Sequence, residues 1–143
     1  MGRPVIAALA SADFDVTAVS RSAGANFPPS VKTAVVDYSN HQQLVDLFKE
    51  NDVVIEAFNP SAAALQPAIV DAALEAGIKH LITPDFACDT FNKYAGDLLI
   101  YDVKIEAQKE LEKRVKGLGM KWTAIITGGW YDWGEWPLNL EAV

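Results

Sequence analysis

Apolar positions along this chain follow two periods in alternation. Short apolar runs at 15–21, 33–36, 52–58, 81–83 and 122–126 read as strands. The stretches between them carry apolar residues every three or four positions, as amphipathic helices do. Pro4 suits the first turn of an opening helix over residues 1–12, whose stripe is Val5, Ile6 and Leu9. Residues 22–30 are loop by composition. Asn40 is placed to cap a helix carrying Leu44, Val45, Leu47 and Phe48. Gly77 stops the next helix, with Pro67 marking either a kink or its true start. A charged helix covers 100–116 and stops at Gly117.

Strands separated by helices imply right-handed crossovers and hence an α/β fold with a parallel sheet and flanking helices. The run at 52–58 is nearly continuous in apolar residues, which predicts a strand buried on both faces. Such sheets open on a strand, whereas this pattern opens on a helix. The expectation is therefore a sheet lacking its first strand, which would leave two neighbouring strands without a partner. Ligands of parallel sheets sit at the carboxyl ends of strands. Those ends fall at Arg21, Asp37, Phe58-Asn59-Pro60, Thr83-Pro84-Asp85 and Thr127-Gly128-Gly129.

Charge and composition narrow the function classes. The chain has 143 residues, half of them hydrophobic, and a formal net charge of -7. That length suits one domain. The acidic balance, with no basic block, argues against nucleic acid. No apolar run reaches membrane-spanning length, so no membrane partner is expected. Cys88 is the single cysteine, which rules out an internal disulfide and suits a reducing, cytoplasmic setting. His41 and His80 have no Cys or acidic partner at ligand spacing, so no metal site is expected.

Two features carry candidate chemistry. Gly2 opens the first helix, and the place about 20 positions on, where an NAD-binding turn keeps an acid, holds Ser20-Arg21-Ser22. An arginine there suits a 2′-phosphate, favouring NADP(H) over NAD(H), although a helix-entry glycine and a solvated arginine explain the same residues. On a helical projection Ile100, Val103, Ala107 and Leu111 share an apolar arc, and Lys104 falls inside it. An inward lysine either snorkels or lines a cavity as a proton donor or acceptor. Asp85 could orient Lys104 or simply cap its loop. Cys88 reads as a small buried hydrophobe. The aromatic segment 130–136 is either a wall of a substrate pocket or packing.

The segment Met1-Gly2-Arg3-Pro4-Val5-Ile6 resembles the tail of the Gly-x-x-Gly-x-x-Gly turn and first helix in NmrA-like and isoflavone-reductase-like proteins. The resemblance continues through Val31-Lys32 to Asp37-Tyr38-Ser39, the strand at Asp52, and Ala76-Gly77-Ile78-Lys79-His80. It extends over Phe86-Ala87-Cys88-Asp89-Thr90 and Trp122-Thr123-Ala124-Ile125-Ile126 with the glycines after it. It implies a Rossmann-like NADP(H)-binding domain, partial over 1–143, and reduction of small, often aromatic, substrates. By carry-over Gly2 is the last glycine of the phosphate turn. Arg21, with Ser22 beside it, meets the 2′-phosphate, and Phe58, Asn59 and Pro60 lie beside the cofactor. Thr83, Pro84, Asp85 and Phe86 stand where the family shows Pro-Ser-Glu-Phe, bordering the nicotinamide.

Lys104 aligns with the family's catalytic lysine, while Tyr101 precedes it by three, so a Tyr-x-x-x-Lys pair is absent. The family's C-terminal substrate region would follow Val143. The resemblance leaves three functions in play: an NADP(H)-dependent reductase, a non-catalytic dinucleotide sensor with a protein partner, and an inactive fragment. With one turn glycine of three present, cofactor affinity is expected to be severely weakened.

Overall fold

A computed structural model describes residues 2–24, 26–58, 60–98 and 101–128. The elements run α1 (Gly2–Ser11), β1 (Thr17–Ser20), β2 (Lys32–Val35), α2 (His41–Phe48), β3 (Val53–Ile55), α3 (Gln66–Ala76), β4 (His80–Ile82), α4 (Asp102–Val115) and β5 (Lys121–Thr123). Two 3₁₀ segments, Pro60–Leu65 and Ala95–Asp97, lead into α3 and precede α4. Each helix has a local reason for its ends. Asn40 accepts a hydrogen bond from the Gln43 N–H at 3.1 Å and caps α2. Pro67 lies in the first turn of α3, so it marks the helix start and not a kink. Gly77 takes the left-handed conformation at φ 80° that ends α3.

All strand pairs are parallel. β1 pairs with β2, aligning Ala18 with Thr33, and β3–β4–β5 form a separate sheet, aligning Leu81 with both Val54 and Trp122. The expected sheet is therefore split in two, and β1 and β3 each have one neighbour among the described residues. β3 is shorter than the apolar run at 52–58, and Val53 is 46% exposed. The expectation of burial on both faces fails there because one flank of β3 meets a cavity rather than a strand. β5 likewise stops at Thr123, and Ile125 and Ile126 are exposed.

One core joins the two half-sheets to a layer of helices. α3 packs against α2 and α4. Leu44, Val45, Val70, Leu81 and Leu111 are almost wholly buried, with Val19, Ala34 and Val54 of the strands against them. Each such side chain contributes about 1.5–3 kcal/mol of apolar burial. α1 differs: none of its residues is buried.

Candidate functional site

The carboxyl end of β4 builds a closed polar cluster. Thr83 and Asp85 are buried, and the Thr83 hydroxyl donates to Asp85 Oδ2 at 2.5 Å. Gln108 of α4 donates from Nε2 to Asp85 Oδ1 at 3.0 Å and to the Thr90 hydroxyl at 2.6 Å. A buried carboxylate costs several kcal/mol unless donors surround it, and these side chains supply them. Phe86, which follows, is buried and has φ 28°, a left-handed value that strains a non-glycine residue. That sharp turn lies beside the carbonyl that meets Lys104. Lys104 Nζ donates to Asp85 O at 3.0 Å, lies 3.5 Å from Pro84 O, and sits 4.0 Å from Asp85 Oδ1. Its side chain is 20% exposed, so Lys104 sits at the edge of the cluster.

The inward face of α4 is rotated from the expected arc. Val103 is 63% exposed, while Gln108, Leu111 and Val115 are buried. The cause is the polar cluster, which draws Lys104 and Gln108, four residues apart on one helical face, toward β4. Ile100, also expected on the arc, lies outside the described residues. Asp85 orients Lys104 through its carbonyl more closely than through its carboxylate. Cys88 is half-buried, and its hydrogen bond with Tyr101 raises that phenol above its ordinary pKa, so it is more than an inert apolar filler.

Glu56, one residue past β3, is the second notable group. It is 2% exposed, accepts from Gln66 Nε2 at 2.6 Å, and its Oε1 has no partner among the described residues. Burial pushes its pKa up to about 8; the Gln66 hydrogen bond opposes that shift and the Asp85 charge adds to it. Its signal in the sequence was an acid inside an apolar strand run. Gln108 and Thr90 had no comparable signal, because each is an ordinary polar residue until the fold gives it a buried partner.

The remaining expected positions fall at strand ends on both half-sheets. Gly2 begins α1 against the end of β3, where an added Cβ would meet Ala57 O at 3.4 Å. Arg21 and Ser22 are exposed just past β1; Ser22 O accepts from the Ser20 hydroxyl at 2.8 Å, and the Arg21 charge reaches the half-buried Tyr38. Asp37 is exposed past β2. Its carboxylate accepts from the Ser39 N–H and hydroxyl through Oδ1, which holds its pKa below the usual range and closes a turn. Phe58 lines the cavity between the half-sheets, and Pro60 begins the 3₁₀ segment. Asn59, Gly129 and the aromatics at 130–136 lie outside the described residues. His80 bonds Thr123 and His41 bonds Glu75, and no group of metal-ligating side chains occurs among the described residues. No helix among them is long and apolar enough to cross a membrane.

Dinucleotide sites in general use a helix N-terminus for the pyrophosphate and residues at the carboxyl ends of strands. Comparison with known proteins decides the family. A domain family described as NAD(P)H-binding matches residues 1–140. The chain belongs to this NAD(P)H-binding family. Over 119 residues it is 35% identical to the oxidoreductase aprR of Aspergillus flavus, covering 80% of the chain and 40% of that protein. The chain thus spans about two-fifths of the length of this curated relative.

Solved structures agree on the fold. An isoflavone reductase aligns over 86% of this chain and 44% of its own, at 20% identity and TM-score 0.66. AtPrR2 with NADP+ and (+)-pinoresinol aligns over 68% of this chain and 33% of its own, at 23% identity and TM-score 0.58. The Rossmann-like fold and the resemblance to isoflavone-reductase-like proteins both hold.

Proposed function

We propose that this chain is the cofactor-binding part of an NADP(H)-dependent reductase that acts on a small, aromatic molecule. The observation that carries this reading is Lys104, held by backbone carbonyls at the carboxyl end of β4 on a partly exposed side chain. The residues present fit the dinucleotide: the α1 N-terminus at Gly2 faces the end of β3, and the Arg21 guanidinium is exposed past β1. Arg21 would meet the 2′-phosphate, with Ser22 beside it, and Phe58, Pro60, Thr83, Pro84 and Phe86 would border the rest. The nicotinamide, when bound, supplies the hydride.

Lys104 performs the proton chemistry. An ammonium has three donors. Two point toward the carbonyls of Asp85 and Pro84, which leaves one for a substrate oxygen. As general acid it would hand that proton over as the hydride arrives. Gln108 and Thr83 hold Asp85, and through it the amine, in place. An aromatic substrate is supported by the pinoresinol in the reductase that shares this fold.

Two measurements test the reading. NADPH should bind more tightly than NADH, and Arg21→Ala should remove that difference; equal affinities in the parent chain would overturn the NADP(H) preference. NADPH oxidation across aromatic ketones and alkenes should be lost in Lys104→Ala, with cofactor binding kept. Undiminished turnover in that variant would exclude Lys104 as the acid. No turnover in either protein, with NADPH bound, would favour a dinucleotide sensor or an inactive fragment. Because the candidate contacts straddle the gap between half-sheets, affinity is expected to be weak, and turnover is measured at saturating NADPH.

A further inference from the structure

Glu56 and Asp85 are buried acids at the carboxyl ends of neighbouring strands. The parallel register aligns Ile55 with Ile82, and the Glu56 N–H continues it by donating to Ile82 O at 2.9 Å. Glu56 and Thr83 are therefore side by side, on one face of the sheet. Thr83 in turn bonds Asp85 Oδ2, and Lys104 Nζ stands 4.0 Å from Asp85 Oδ1. On its other side Glu56 accepts from Gln66, where α3 begins. We propose that Glu56 is a positioning residue for Lys104: as a neutral acid it leaves Asp85 as the anion of the cluster, and as a carboxylate it tightens the cluster's hold on the ammonium proton.

Three observations support it. Glu56 is buried and its Oε1 has no partner among the described residues, so ionising it creates a poorly solvated charge. In so dry a place neighbouring groups feel a charge more strongly than they would at the surface. The donors are also divided unequally: Asp85 has Thr83 and Gln108 on its two oxygens, while Glu56 has Gln66 alone. Finally, the Asp85 charge reaches Glu56 and adds to the burial that keeps it protonated up to about 8. Such coupling is reciprocal, so a charge on Glu56 is felt at Asp85 and at the amine beside it.

The groups around this pair come from four sides. α3 offers Gln66, and α4 offers Gln108 and Lys104. The loop after β4 offers Cys88, which bonds Tyr101 three residues before Lys104. Arg3, Asp15 and Tyr38 border the cavity beside Glu56. The inference rests on Lys104 as the proton donor of the proposed reaction. A second negative charge beside an ammonium makes it a weaker acid, so proton delivery should slow as Glu56 ionises.

Competitive labelling with a trace of acetic anhydride reads the Lys104 amine without substrate or cofactor. Lys109, exposed on the same helix, is the internal reference. At pH 9, Lys104 of Glu56→Gln should label about threefold or more faster than in the parent, because the carboxylate is gone. At pH 6.5 Glu56 is neutral in the parent, and the two proteins should label alike. Gln66→Met removes a donor that favours the Glu56 carboxylate, so protection of Lys104 should set in at higher pH. Cys88→Ala should keep the protection; its loss there would assign the effect to the thiol and overturn the proposal. Equal labelling of parent and Glu56→Gln at pH 9, or a difference of the same size at pH 6.5, would overturn it too. In turnover, the alkaline fall in NADPH oxidation should move to higher pH in Glu56→Gln. Absence of turnover in both proteins, with the labelling difference present, would count against the reductase and not against the coupling of Glu56 to Lys104.

Discussion

Two regions flank β3, and they differ in how completely their parts are matched. Between β4 and α4, the carboxylate of Asp85 has donors on both oxygens from Thr83 and Gln108, and Lys104 caps its carbonyl. Between β3 and β1 the carboxyl of Glu56 has one donor and an orphaned oxygen, and the helix above it buries nothing. Both regions hold a buried acid, yet only Asp85 has a donor on each carboxyl oxygen. Burial with one oxygen unpartnered is what raises the pKa of Glu56.

The largest expected effect follows from that contrast. Glu56 is raised in the folded chain from 4.5 to about 8. Folding therefore retains a proton that the unfolded chain releases between those values, so stability is greatest below pH 4.5 on this account and falls as pH rises toward 8. Summed over the window, the loss is roughly 4–5 kcal/mol, since each pKa unit corresponds to about 1.4 kcal/mol. Urea denaturation at pH 5.5 and pH 8 should show about 3 kcal/mol of it, and Glu56→Gln should flatten the profile. An unchanged slope in that variant would assign the pH dependence to other groups.

The next effect sets the core against the helix over the cavity. Leu81 is fully buried among α2, α3 and α4, so Leu81→Ala should cost about 3 kcal/mol or more. Leu9 lies on the stripe of α1 and is only half-buried, so Leu9→Ala should cost less than about 0.5 kcal/mol. A large loss at Leu9 would show that α1 already belongs to the core. Within the polar cluster, Gln108→Leu keeps the volume but takes the donor from Asp85 Oδ1 and the Thr90 hydroxyl. That should cost about 1–3 kcal/mol, read as a lower denaturation midpoint.

The same contrast explains what the sequence made legible. Strand and helix alternation, the Asn40 cap, the Gly77 stop and the gap in the sheet all depend on neighbours close in the chain or on the order of elements, and each reads directly. Lys104 was visible because its position on a helix is periodic. The rotation of the inward face of α4 was not, because it is set by Gln108 reaching Asp85 and Thr90 across 23 and 18 residues of chain. Asp37 reads as a strand-end position, and the turn that its Oδ1 closes on Ser39 shows only in side-chain geometry. β3 looked buried on both faces because its run is apolar, and apolar runs carry no information about whether the neighbour they suit is present.

Two substitutions of similar local size bring the comparison to its sharpest form. Asn40→Ala removes the cap of α2, which costs about 1 kcal/mol where the helix matters to the fold. Leu44, Val45 and Phe48 tie α2 to the core, so that cost should appear in the global denaturation midpoint. Ala8→Gly lies mid-helix on exposed α1 and carries a propensity cost of about 1 kcal/mol as well. Since α1 buries no residue, its opening is not coupled to the core, and the global midpoint should stay within error while amides of 5–12 exchange faster.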